Sequence, residues 1–210
     1  MGNVLLIGGS PMTGKSTAAA ALASARRWPS LSTDDVGEVL QTVLPLDPMR
    51  GMNYRTYYAS VSADGLREDA RRYHAAMEPA LRRLVNIHSA WGNSMILEGW
   101  ALYPARVRPW LGRSVYGVWL IAEEGLLESR LGQREDFLDG AAARSYLHRS
   151  LWHNGLLLEE CRELDLPYLR VGEEDTPADV SRRLEALLPP GFQNGFPDGS
   201  QSSNQSGRAE

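Results

Sequence analysis

A glycine-rich loop near the start of the chain has the residue types that bind a polyphosphate. Residues 9–16, Gly-Ser-Pro-Met-Thr-Gly-Lys-Ser, match the pattern G-x-x-x-x-G-K-[ST] of the phosphate-binding P-loop. An apolar run from Val4 to Ile7 precedes the loop, and an alanine-rich stretch that favours a helix follows it. A P-loop requires this order of strand, loop and helix, which disfavours a chance glycine turn.

Each part of the loop has a predicted role. Its backbone N–H groups turn inward on a phosphate where the glycines allow strained dihedral angles. Lys15, the only lysine among 22 lysines and arginines, reaches the β- and γ-phosphates. The Ser16 hydroxyl ligates the magnesium ion that bridges these phosphates. The residues predicted to bind ATP in the loop are Gly9, Ser10, Pro11, Met12, Thr13, Gly14, Lys15, Ser16 and Thr17.

Carboxylates follow two further predicted strands. Asp34 and Asp35 come after the second β-rich run, and Glu98 with Gly99 comes after the third. The carboxyl ends of parallel strands share one edge of a sheet, so these residues are predicted to face the substrate beside the P-loop, with Glu98 also a candidate magnesium ligand. Capping of the next helix is an alternative role for the aspartates, and a plain surface charge is an alternative for Glu98.

Two arginines lie one turn apart on the helix predicted from Glu123 to Arg134. Arg130 and Arg134 share one face of this helix and flank a predicted lid at about residues 130–150. Kinases use mobile arginines to neutralise the transferring phosphoryl group, and a closing lid excludes water. We therefore expect Arg130 and Arg134 to act together with Lys15.

The alternation of predicted strands and helices indicates the α/β class. We expect a three-layer P-loop NTPase fold, with a five-stranded, mostly parallel sheet, helices on both faces and a helical lid. A P-loop kinase domain is predicted at 1–190, with a helical insertion at about 53–91 and a tyrosine-rich loop from Leu44 to Tyr58. Residues 191–210 are rich in Gly, Ser, Asn and Gln, which predicts a disordered tail.

Composition argues against several other classes. The net charge of −4 disfavours a nucleic-acid partner, and Cys161 is alone, which predicts a buried thiol and no intrachain disulfide. No apolar run approaches the roughly 18 residues of a membrane span, and no signal segment opens the chain, so a cytoplasmic protein is expected. GTPases recognise the base with an Asn/Thr-Lys-x-Asp motif. This motif needs a second lysine, and the chain has only Lys15, so a GTPase is excluded. No pattern predicts an oligomeric state.

Three stretches of the sequence resemble the P-loop kinases related to 2-phosphoglycerate kinase, and are more distantly similar to the zeta toxin and chloramphenicol phosphotransferase kinases. These stretches are residues 8–17, residues 32–35 and residues 96–104. Trp100 and Ala101 stand where those kinases often have Val-His. The resemblance therefore leaves an acceptor other than 2-phosphoglycerate open.

The resemblance implies roles for individual residues. Gly14, Lys15, Ser16 and Thr17 would bind ATP and Mg2+. Asp34, with Asp35 next in line, would orient or deprotonate the acceptor. By the same resemblance Glu98 and Gly99 would lie near metal or substrate, and Arg130 would pack on adenine.

The sequence thus predicts an ATP-dependent kinase that phosphorylates a hydroxyl group of a small molecule. A nucleotide-binding regulatory protein and a hydrolytic ATPase are the alternatives. Seven arginines favour an anionic acceptor, although solvated surface charge explains most of them equally well. They are Arg50, Arg55, Arg67, Arg71, Arg72, Arg106 and Arg108.

Overall fold

The structure is a computed structural model that describes residues 2–133 and 140–193. Its strands are β1 Val4–Gly9, β2 Ser30–Ser32, β3 Met95–Gly99, β4 Val115–Ala122 and β5 Tyr168–Val171. They form one sheet in the order β2-β3-β1-β4-β5, and every neighbouring pair is parallel. The predicted α/β class and P-loop NTPase fold are confirmed.

Helices connect the strands and cover both faces of the sheet. They are α1 Lys15–Arg26, α2 Thr33–Gln41, α3 Tyr54–Ser60, α4 Ala63–Trp91, α5 Pro104–Val107, α6 Leu126–Gly132, α7 Gly140–Glu163, α8 Pro177–Leu187 and α9 Pro190–Gln193. Helices α3 and α4 occupy the range of the predicted insertion, and Pro79 lies inside α4 without ending it. No described helix is long and apolar enough to cross a membrane.

The core has two layers because side chains of a strand alternate between the faces of the sheet. Leu5 and Ile7 of β1 belong to the layer that packs under α1 and α8. Val4 and Leu6 belong to the opposite layer, under α4, α5 and α7. Cys161 of α7 is fully buried there, and burial raises the pKa of its thiol to about 12, as expected for an inert core cysteine.

Helix α2 begins at Thr33, directly after the last residue of β2. The Ser32 hydroxyl caps it by accepting a hydrogen bond of 3.1 Å from the Asp34 backbone N–H. Serine is a favoured N-cap, and carboxylates in the first turn are stabilised by the helix dipole. Asp34 and Asp35 therefore lie inside the first turn, and neither of them is the cap.

The tyrosine-rich segment is helical at its end, where a loop was predicted. The Asn53 side chain caps α3 by accepting a hydrogen bond of 2.9 Å from the backbone N–H of Thr56. Tyr57 and Tyr58 are buried against α7 and its neighbours. Burial of these aromatic rings stabilises helix α3, and the local sequence alone does not predict this helix.

The ordered chain continues past the predicted start of the tail at residue 191. Helix α9 spans Pro190–Gln193, Phe192 is buried in the core, and the Gly191 carbonyl accepts a hydrogen bond from the Asn3 side chain. Residues 194–210 lie outside the described residues. Arg134, one of the two predicted lid arginines, also lies outside them.

Candidate active site

The loop between β1 and α1 has the backbone geometry of a phosphate cradle. Gly9 and Gly14 have φ angles of 151° and 90°, and a Cβ atom at Gly9 would lie 2.8 Å from the Leu120 carbonyl oxygen. Within the described chain, the backbone N–H groups of Lys15 and Ser16 have no acceptor. Free donors at a helix N-terminus form a site for an anion.

Lys15 is held inside this loop. Its side chain is 8% exposed, and Nζ donates a hydrogen bond of 2.8 Å to the Ser10 carbonyl oxygen. Burial lowers the pKa of the Lys15 amine, and the nearby carboxylates of Glu98 and Asp34 partly oppose this shift. The amine therefore lies within electrostatic reach of both predicted carboxylates.

Ser16 and Glu98 meet at the carboxyl edge of the sheet. The Ser16 hydroxyl donates a hydrogen bond of 2.9 Å to Glu98 Oε1, and Glu98 is 5% exposed. Burial raises the pKa of the Glu98 carboxyl, and Lys15 opposes the shift. Magnesium in kinases takes one or two carboxylates together with phosphate oxygens, so this buried hydroxyl–carboxylate pair fits that ion. The described residues contain no cluster of three or more His, Cys, Asp or Glu side chains that could hold a metal ion, here or elsewhere.

The two neighbouring aspartates have different surroundings. Asp34 Oδ1 accepts a hydrogen bond of 2.8 Å from Trp100 Nε1, and Asp34 lines the cavity in front of Lys15. Both aspartates are exposed, but Asp35 is not among the lining residues of this cavity. Glu38, one helical turn after Asp34, also lines the cavity. The structure thus brings Asp34, and not Asp35, to the P-loop.

The cavity beside the P-loop has a volume of about 500 Å³. The P-loop and helices α2, α3, α4 and α7 contribute residues to its lining. Its lining residues are Pro11, Met12, Lys15, Ser16, Asp34, Glu38, Pro48, Met49, Tyr54, Tyr57, Tyr58, Asp69, Ala70, Tyr73, Trp100, Tyr146 and Arg149. This volume suits a small molecule of a few rings.

A second cavity of about 380 Å³ lies across the P-loop from the first. Met12 lines both cavities, and Arg130 lines the second. Arg130 Nη1 donates a hydrogen bond of 2.7 Å to the Met12 carbonyl oxygen and lies beside Gly14. The remaining lining residues are Thr13, Gly14, Thr17, Ala18, Asp175, Pro177 and Val180. The arrangement offers one compartment on each side of the phosphate cradle.

The structure adds Arg149 to the residues singled out in the sequence. This arginine is 6% exposed, and its guanidinium carbon lies 4.3 Å from the ring centre of Trp100 and 4.8 Å from that of Tyr58. Arg144, also on α7, is exposed and lies outside the cavity. A signal for Arg149 exists in the sequence, because it falls on the buried stripe of α7 with Tyr146.

Gly99 has a structural role that explains its place at the end of β3. A Cβ atom at Gly99 would lie 1.7 Å from the Thr33 hydroxyl oxygen. The φ angle of Gly99 is 153°, which residues other than glycine rarely adopt. The absence of a side chain lets the end of β3 approach the start of α2. This approach sets Glu98 and Asp34 on adjacent elements.

Gly99→Ala is therefore expected to destabilise the chain by about 2 kcal/mol, because of the overlap with Thr33. Gly155→Ala is the matched control, since nothing lies within 4 Å of a Cβ atom at this exposed helical position. We expect that control to gain up to about 1 kcal/mol from helix propensity. Urea unfolding measures both values, and equal stabilities of the two variants would contradict the prediction.

Comparisons with known proteins identify the fold. No protein-family model matches the sequence, and no curated protein matches it significantly. Among solved structures, a sugar kinase from Janibacter sp. HTCC2649 aligns with a TM-score of 0.52 and 17% identity, over 92% of this chain and 99% of that chain. A gluconokinase from Sinorhizobium meliloti 1021 aligns with a TM-score of 0.51 and 17% identity, over 86% and 87% of the two chains.

A thymidylate kinase from Candida albicans gives a similar result, with a TM-score of 0.52 and 15% identity over 89% of this chain and 90% of that chain. These structural neighbours are kinases of small molecules, and at such identities the likeness shows the shared P-loop fold alone. None of the three is a 2-phosphoglycerate kinase, so the narrower resemblance stays a prediction.

Proposed function

We propose that this protein is a kinase that transfers the γ-phosphoryl group of ATP to a hydroxyl group of a small molecule. The observation that carries the proposal is the convergence of Lys15, the Ser16–Glu98 pair and Asp34 at one cavity. Lys15 and Ser16 are neighbours in the P-loop, whereas Asp34 and Glu98 come from two other parts of the chain. Their chemistry matches what phosphoryl transfer needs: a phosphate cradle, a metal site and an acceptor-side carboxylate.

The two cavities suggest how the substrates are arranged. The adenine ring would occupy the cavity that contains Arg130, and the phosphates would lie along the N-terminus of α1. The acceptor would then occupy the larger cavity on the other side of the P-loop. Binding in opposite compartments would allow the acceptor hydroxyl to approach in line with the terminal phosphate, as phosphoryl transfer requires.

The side chains around this point have distinct tasks. Asp34 accepts the proton of the acceptor hydroxyl or orients it for attack. Lys15 and Arg149 stabilise the negative charge of the transferring group, because both cations are buried at the cavity wall. Ser16 and Glu98 would hold the magnesium ion, which when bound neutralises charge on the β- and γ-phosphates. Arg134 is proposed from the sequence alone to help neutralise the transferring phosphoryl group.

A nucleotide-binding regulatory protein is the alternative. Such a protein needs the cradle but gains nothing from a carboxylate beside the transferring phosphate. The position of Asp34, bonded to Trp100 at the cavity wall, supports an enzyme. A hydrolytic ATPase would turn over without any acceptor.

ATP consumption with magnesium tests the proposal. ADP release would be measured with and without pools of hydroxylated compounds, and the same pools would be given to Lys15→Ala. We expect at least one pool to stimulate ADP release by the wild-type chain and none to stimulate the variant. Turnover that no pool changes would contradict a kinase and favour the ATPase.

The magnesium site leads to a separate prediction. Glu98→Gln keeps an oxygen that accepts the Ser16 hydrogen bond but removes the charge. We expect the magnesium concentration for half-maximal rate to rise by about 10- to 100-fold. Glu123→Gln is the control, because Glu123 also follows a strand but is exposed. An unchanged magnesium requirement in Glu98→Gln would place the metal elsewhere.

A further inference from the structure

Aromatic side chains form much of the lining of the larger cavity. Tyr54 and Tyr58 have ring centres 4.7 Å apart, and Tyr58 and Tyr146 are 5.2 Å apart in an edge-to-face arrangement. Tyr57 packs edge-to-face on Tyr58 at 5.2 Å. Met49 adds a flexible apolar surface to the same wall. Such walls bury flat, carbon-rich ligand faces.

Two tyrosine hydroxyl groups at the larger cavity already form hydrogen bonds with other side chains of the protein. The Tyr57 hydroxyl donates a hydrogen bond of 3.1 Å to Asp69, and the Tyr73 hydroxyl accepts one of 3.2 Å from Gln41. Asp69 is 2% exposed in its side chain and pairs with Arg50 and Arg72. These tyrosines and Asp69 thus offer a ligand mainly ring carbon and no uncompensated charge.

The charges that remain at the wall do not suit an anionic acceptor. Among the described lining residues the cations are Lys15 and Arg149, and the proposed reaction uses both for the transferring phosphoryl group. Asp34 and Glu38 are carboxylates on the acceptor side, and no described residue forms an ion pair with either of them. A phosphate or carboxylate on the acceptor would meet like charge there.

The seven arginines that suggested an anionic acceptor in the sequence analysis do not line the larger cavity. Arg50 and Arg72 compensate Asp69, whereas Arg67 and Arg71 lie over the ring of Trp152 at 5.8 and 5.0 Å. Their positive charge is therefore not directed at the acceptor.

We propose that the acceptor is a hydroxylated ring compound with an apolar face and no anionic group. This inference rests on the proposed kinase function, because it assigns the larger cavity to the acceptor. Tyr54, the partly exposed member of the tyrosine wall, binds the ring face, and the buried rings of Tyr57, Tyr58 and Tyr146 pack behind it. Asp34 receives the hydroxyl group. Glu38 allows an amino substituent on the ring, as a carboxylate pairs with an ammonium group.

Three matched pools of compounds test this class. The first contains uncharged aryl alcohols and nucleosides, the second contains amino sugars and aminocyclitols, and the third contains phosphorylated sugars and hydroxy acids. We expect the first or second pool to stimulate ADP release at least about tenfold more than the third, a difference of about 1.4 kcal/mol in transition-state binding. Preferential stimulation by the third pool would overturn the inference.

Thermal shift separates this inference from the kinase proposal. The melting temperature would be measured with each pool in the presence of magnesium and a non-hydrolysable ATP analogue. Stabilisation by uncharged or amino ring compounds without any phosphorylation would uphold the acceptor class and refute the kinase. If neither of these two pools stabilises the protein or is phosphorylated, the inference is overturned.

Variants of the wall provide the last test. Tyr54→Ala is expected to raise the KM of the stimulating compound by about tenfold with little change in the KM of ATP. Tyr168→Ala removes a tyrosine outside both cavities and is the control. Glu38→Gln distinguishes an amino-substituted acceptor from a neutral one. We expect this variant to raise the KM of an amino compound and to leave the KM of a neutral compound unchanged. An unchanged acceptor KM in Tyr54→Ala would contradict the role of the wall.

Discussion

Replacing Lys15 with alanine is expected to lower kcat for phosphoryl transfer by about 10³-fold, the cost of losing one positioned group that stabilises the transition state. The amine lies in the P-loop, bonded to the Ser10 carbonyl at 2.8 Å and close to the carboxylates of Glu98 and Asp34. No other lysine exists in the chain to replace it. ADP release at saturating ATP and acceptor measures the effect.

The stability of the same variant is its internal control. Burial lowers the pKa of the Lys15 amine, which means that the fold bears a cost for holding this charge. Lys15→Ala should therefore unfold at the same temperature as the wild-type chain or at a higher one. Transfer at the wild-type rate by a folded Lys15→Ala would refute the proposed mechanism.

Replacing Asp34 with asparagine is expected to lower kcat by about 10²- to 10⁴-fold, the range for loss of a general base. The asparagine oxygen can still accept the hydrogen bond from Trp100, so the packing is kept and the change isolates the charge. Single-turnover measurements with labelled ATP separate this loss from slower product release.

Asp35→Asn is the matched control for this prediction. Both aspartates are exposed and lie in the first turn of α2, but Asp34 lines the cavity and Asp35 does not. Its rate is expected to stay within about twofold of the wild-type rate, as for most surface substitutions. An equal or larger loss of rate in Asp35→Asn would contradict the assignment of Asp34 as the acceptor-side carboxylate.

The fold and the cradle could be read from local patterns. The P-loop motif lies between an apolar strand and a helix former, and both elements form where the pattern places them. The parallel sheet followed from the alternation of strands and helices, and Glu98 reached the P-loop because parallel strands share one carboxyl edge. These features depend on short-range sequence and on a general rule of topology.

The acceptor side of the cavity could not be predicted in the same way. Tyr54 and Tyr58 lie one turn apart on α3 but far from Arg149 in the chain, and they come close to Arg149 only when α3 packs on α7. Likewise, the choice between Asp34 and Asp35 depends on where α2 begins, and this is set by the Ser32 cap. The sequence pattern indicates that Arg149 is buried on α7, but only tertiary packing places it at the cavity.

The fate of the γ-phosphoryl group is the most direct test of the account. ATP labelled in this group would be incubated with the protein, magnesium and the pooled ring compounds, and the products would be separated and identified by mass spectrometry. We expect label in a phosphate ester of a ring compound, and no such ester with Lys15→Ala. Label found in inorganic phosphate alone, or retained in bound ATP, would contradict it.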